Sequence, residues 1–81
     1  MTLTFRQRAL LHQVLRDFDR ESGAAAFDPA ALPDQLGAPL ADLATDVTVL
    51  VAEGYLETPA GDDPWRLAPT DKGVLTAMEL E

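Results

Sequence analysis

Apolar positions recur along most of this chain at helical spacing, and the breaks fall where glycine, proline or a capping residue ends an element. Thr4 followed by Gln7 makes a capping box, and helix-forming residues run on to about Arg20, where Ser22 and Gly23 stop the pattern. At about 100° per residue, Leu10, Leu11, Val14, Leu15 and Phe18 gather on one face of this first helix, and Arg6, Gln13, Arg16 and Arg20 on the other. Residues 24–27 are few enough for a small strand. Asp28 and Pro29 read as N-cap and first residue of a second helix that runs toward Leu36. Pro33 would then fall in a helix interior, where it removes a hydrogen bond and clashes one turn back, so a start at Leu32 is the other reading.

Gly37 ends the second helix and Pro39 opens a third, leaving only a tight turn between them. In the third helix, roughly residues 40–53, Leu40, Leu43, Val47, Leu50 and Val51 share the buried face, and Gly54 supplies the left-handed residue that stops it. Its outer face carries Ala41, Asp42, Thr45, Thr48, Val49 and Ala52, with Asp46 also expected toward any docked duplex. Residues 55–58 and 65–68 are short runs of strand-forming types separated by Pro59, Gly61 and Pro64, which predicts a hairpin with a long acidic tip at Asp62 and Asp63. Thr70 caps a last helix bearing Val74, Leu75, Met78 and Leu80. The expectation is one α+β domain, mostly α, over residues 1–81.

Charge alters this picture more than composition does. The chain has 81 residues, a net charge of −8, five aromatics and no cysteine. A domain of this size buries only about 60% of its unfolded surface, so a roomy enzyme pocket is not expected. Without cysteine there are neither disulfides nor thiolate metal sites. No apolar run is long enough to cross a membrane, and Arg6, Arg8, His12 and Arg16 interrupt the start in a way a signal peptide would not, so the expected place is the cytoplasm. Residues 4–21 hold four Arg against three acids, whereas the rest holds Arg66 and Lys72 against eleven acids. Phosphate binding needs clustered cations, so this second part repels a duplex, and an anionic membrane surface is disfavoured on the same grounds.

The order of elements resembles the winged helix-turn-helix regulators of transcription, including compact one-domain kinds that dimerise through terminal helices. The residues that carry the resemblance are the Leu36-Gly37 turn, the Val51-Ala52-Glu53-Gly54-Tyr55-Leu56 end of the third helix, and Trp65-Arg66-Leu67-Ala68-Pro69-Thr70-Asp71-Lys72-Gly73, similar to the hydrophobic-Thr-x-Lys-Gly segment that commonly follows the wing. The resemblance implies a three-helix core, a β-hairpin wing and a C-terminal helix, with DNA bound by the third helix in the major groove and the wing against the backbone or minor groove. This sequence departs from that activity at the groove-facing residues. Base reading relies on Arg, Lys, Asn and Gln, and the third helix offers none of them outside.

The first functional expectation is therefore protein contact, through Ala41, Asp42, Thr45, Thr48, Val49 and Ala52, with Trp65 as an aromatic anchor or as a cover at the base of the wing. The alternative is a DNA-binding regulator, adapted to high salt, that uses Arg6, Arg16, Arg20, Thr45, Arg66 and Lys72. On the first helix, Asp17 and Asp19 lie within reach of Arg20 and Arg16 and partly neutralise that face. A homodimer through Val74, Leu75, Met78 and Leu80 is expected for a helix too apolar for one neighbour. Catalysis has no constellation: Ser22 is the only serine and His12 the only histidine, so no enzyme activity, cofactor or metal is expected.

Overall fold

The computed structural model describes residues 3–59 and 61–79. Seven elements follow one another: α1 (Phe5–Asp17), β1 (Ala25–Ala26), α2 (Leu32–Leu36), α3 (Leu40–Ala52), β2 (Leu56–Glu57), β3 (Arg66–Pro69) and α4 (Asp71–Glu79). Among the described residues the fold is α+β, with four helices and a three-stranded antiparallel sheet in the order β1-β3-β2. β3 is the centre. Its Leu67 and Arg66 pair with Ala25 and Ala26, and its Pro69 and Ala68 pair with Leu56 and Glu57.

Local sequence accounts for most boundaries. The capping box forms at α1: the Gln7 N–H donates to Thr4 Oγ1 at 3.1 Å and the Thr4 N–H to Gln7 Oε1 at 2.9 Å. α1 ends at Asp17, earlier than the expected Arg20, because Phe18 turns extended and the Asp19 N–H donates to the Ala24 carbonyl at 3.2 Å. That bridge swings Phe18 off the apolar stripe and leaves it exposed.

Asp28 does not begin α2. Its side chain accepts from the Ala30 N–H at 2.9 Å and its carbonyl from Ala31 and Leu32, making a turn that feeds a helix beginning at Leu32. Pro33 thereby falls in the first turn, where its missing donor costs nothing. Gly37, left-handed at φ 67°, donates to the Pro33 carbonyl at 2.8 Å and closes α2. Only residues 37–39 separate α2 from α3.

The core lies between α1, α3 and the sheet. Leu10, Leu11, Val14, Leu32, Leu43, Leu50 and Leu67 are wholly buried. Val51 packs half-buried against this cluster, but Leu40, expected inside, is exposed as the first residue of α3.

The two sequence segments that flank the hairpin dock on each other. At the end of α3, Gly54 sits at φ 83° and the Tyr55 N–H donates back to Leu50 at 2.9 Å. Thr70 reaches this turn twice, its N–H donating to the Tyr55 carbonyl at 3.1 Å and its hydroxyl to the Gly54 carbonyl. The same hydroxyl accepts from the Gly73 N–H at 3.1 Å, capping α4. Gly73 packs directly on the Tyr55 backbone, where no side chain fits. Lys72 lies over the Tyr55 ring, 4.5 Å from its centroid, and donates to the Glu53 carbonyl at 2.7 Å.

Candidate interaction surface

The outer face of α3 follows from its period. With Leu43, Val47 and Leu50 buried, Ala41, Asp42, Ala44, Thr45, Thr48 and Ala52 are left exposed and Val49 half-exposed. Both threonine hydroxyls turn inward, Thr45 Oγ1 donating to the Ala41 carbonyl at 3.1 Å and Thr48 Oγ1 to the Ala44 carbonyl at 3.0 Å. Back-bonding of this kind occupies the hydroxyl proton and leaves the methyl group outward. The strip therefore presents methyl groups and short side chains, with no side-chain donor free.

Asp46 is not on that face. It is only 3% exposed, held by Arg6 of α1, whose Nε donates to Asp46 Oδ2 and whose Nη2 lies 3.4 Å from Oδ1. Arg6 Nη1 is also 3.7 Å from Asp42. The hydrogen bond to Asp46 raises the Arg6 pKa above its ordinary value, with the charges of Asp46 and Asp42 acting the same way. Hence Arg6 is not the free cation of a solvated face, and one guanidinium answers both acids of α3, Asp42 and Asp46. No signal within the sequence of α1 or α3 marks this pairing, since its partners stand 40 residues apart.

The remaining candidate cations do not converge on α3. Lys72 is tied to the helix end through Glu53 and Tyr55. Arg66, half-buried, has a buried Nε without a hydrogen-bond partner among the described residues, and lines a cavity of about 190 Å³ with Ser22, Ala24 and Pro59. Arg16 and Arg20 are exposed at the end of α1 and in the turn beyond. Asp17 and Asp19 make no direct ion pair with Arg16 or Arg20 among the described residues: Asp17 accepts from Gln13 Nε2 at 2.7 Å, and Asp19 from the Glu21 N–H at 2.9 Å, so any offset of that end is through proximity of charge alone.

Trp65 packs half-buried against the core and so covers the base of the hairpin, while its backbone N–H donates to Asp63 Oδ1 at 3.0 Å. One of the two tip acids is thus engaged in the turn. On α4, Val74 is half-buried, whereas Leu75 and Met78 are 61% and 65% exposed; Leu80 lies outside the described residues. The sequence reading passed over Phe5, which is 80% exposed. Its position just after the cap, off the Leu10-Leu11-Val14 stripe, was the available signal.

Among the described residues no group of three or more His, Cys, Asp or Glu side chains could hold a metal ion, and no helix is long and apolar enough to cross a membrane. Comparison with known proteins finds no matching family model, curated protein or solved structure.

Proposed function

We propose that this chain is a winged-helix protein similar to small transcription regulators, and that the outer face of α3 makes a protein contact in place of reading a duplex. The fold reading is supported by the element order, the three-residue turn between α2 and α3, and the β1-β3-β2 sheet with residues 58–65 as its wing. One observation carries the functional reading. The groove-facing strip of α3 has its hydroxyl donors spent on its own carbonyls, while the nearest cations, Arg6 and Lys72, are spent on Asp46, Asp42 and the Glu53 carbonyl.

The commonest direct readout uses side-chain donors that reach base edges, and non-specific phosphate binding uses clustered cations. A strip of alanine and threonine methyls meets neither need. It does let another backbone approach closely, with little side-chain entropy to lose. The role that follows is a partner or antagonist within a regulatory assembly, with no catalytic step and no cofactor.

The test is a titration of labelled random duplex followed by fluorescence anisotropy across a salt series. Affinity at physiological salt is expected to be weaker than the usual non-specific range of about 10⁻⁴ to 10⁻⁶ M. Micromolar binding that falls steeply with added salt would restore the DNA-binding reading, with Arg16, Arg20 and Arg66 as its contacts. On the protein side, a photoreactive side chain at Thr48 should give one discrete protein adduct in cells, and the same group at exposed Glu57 should not. Equal labelling from both positions would remove the assignment to α3.

A further inference from the structure

The outer face of the sheet carries a donor with no acceptor among the described residues. In β3, Leu67 points to the core opposite Ala25, both wholly buried, so Arg66 and its cross-strand partner Ala26 stand on the other face. Ala24, two residues before Ala26, is an alanine as well. Short side chains on the β1 side leave room beside the Arg66 stem, and a cavity of about 190 Å³ is bordered there by Ser22, Ala24, Pro59 and Arg66. The Arg66 Nε is buried and lacks a hydrogen-bond partner among the described residues. A buried donor left in this way costs free energy that an acceptor would recover.

The bordering residues limit what the cavity can hold. Ser22 donates its hydroxyl to the Ala24 carbonyl at 3.2 Å, so its proton is spent, and the side chains of Ala24 and Pro59 offer only hydrocarbon. Arg66 is then the one charge and the one free side-chain donor of these four residues. Glu57, opposite Ala68 and so on the same face, makes no ion pair with it among the described residues. Asp63 and Asp19 accept from the backbone N–H groups of Trp65 and Glu21. With Glu21 in the turn and Asp62 in the hairpin, the acids of this surround outnumber Arg66 and Arg20. Such a surround repels a polyanion or a doubly charged phosphate. A single planar carboxylate adds one charge and matches the Nε–Nη edge of one guanidinium.

We propose that this cavity binds a monocarboxylate with a short apolar stem, either a free acid or the end of a peptide chain. Its two oxygens accept from Nε and one Nη of Arg66, side-on and bidentate, and its stem lies against Ala24 and Pro59. Arg66 thus recognises a carboxylate and not the phosphates of a duplex. None of the four bordering residues belongs to α3, so the site is independent of how that helix is used.

Titration of the intact, isotopically labelled protein, followed through its arginine Nε–Hε signals, tests it. The Arg66 signal is assigned through its own side-chain carbons, so the unmodified chain alone decides. At constant ionic strength, sodium butyrate should move that signal and the Ala24 amide saturably, butyramide and sodium chloride should not, and phosphate should bind at least about tenfold more weakly. Arg66→Lys keeps the charge but lacks the Nε–H, and should lower butyrate affinity at least about tenfold, read at the Ala24 amide. An alanine tripeptide with a free carboxyl end separates the two sources: tighter binding than butyrate assigns a chain terminus, weaker binding a free acid, and the same peptide amidated should not bind. An Arg66 signal that moves with neither carboxylate would overturn the inference, as would phosphate bound as tightly as butyrate, or an Arg66→Lys variant that binds butyrate as well as the parent.

Discussion

Gly73→Ala is expected to destabilise this protein, against the ordinary effect of that change in a helix. A methyl at this position would lie 2.1 Å from the Tyr55 carbonyl oxygen and 3.1 Å from its carbonyl carbon. Both atoms are backbone, and Tyr55 is pinned by its bond to Leu50 at 2.9 Å and by the Thr70 N–H at 3.1 Å, so the neighbour has little freedom to yield. The start of α4 must instead retreat by about 1 Å to reach an ordinary contact distance. Overpacking of this sort costs about 1–3 kcal/mol, and weakening the Thr70 cap adds about 1 kcal/mol. The gain in helix propensity returns about 1 kcal/mol. The net loss is then about 2 kcal/mol, which lowers the melting temperature of a domain this size by roughly 10 °C. Circular dichroism during thermal and urea unfolding measures it directly. A variant as stable as the parent, or more so, would refute the close crossing of α4 over Tyr55 and with it the placement of Lys72 at the end of α3.

Three further outcomes follow from the same contacts. Thr70→Val removes a hydroxyl that donates to Gly54 and accepts from Gly73, and should cost about 1–2 kcal/mol by urea titration. Arg6→Met strips the buried Asp46 carboxylate of its cation and should lower the urea midpoint, whereas Arg6→Met with Asp46→Leu should recover much of the loss, because an unpaired buried charge is worse than an apolar pair. Leu50→Ala empties a wholly buried site of α3 and should cost about 2–5 kcal/mol in the same assay.

What the sequence disclosed was local. Thr4 with Gln7, Gly37, Gly54 and Thr70 each set the end of an element through bonds to residues a few positions away, and each behaves as its type predicts. The periodic stripes of α1 and α3 likewise placed Leu10, Leu11, Val14, Leu43, Val47 and Leu50 inside. Readings failed where tertiary contacts decide. Asp46 falls at the edge of the apolar stripe of α3, about 40° from Leu50, and the arrival of Arg6 from α1 makes its burial tolerable. Phe18 and Leu40 fit their stripes by angle but stand at helix ends beyond the cover of the core. For the candidate surface, composition identified the lack of cations on α3, but not that Thr45 and Thr48 turn their hydroxyls back onto the helix. That choice depends on rotamers, which the sequence leaves open.

The central claim, that α3 is not a duplex-reading helix, is tested most directly by amide chemical shifts of the isotopically labelled protein titrated with duplex DNA at low and then physiological salt. The account predicts that any shifts at low salt are confined to the Arg16 and Arg20 end of α1, vanish as salt is raised, and leave residues 40–52 and the hairpin at 58–65 unmoved. Shifts that run along Ala41, Thr45, Thr48 and Ala52 together with the hairpin, and that persist at physiological salt, would contradict it.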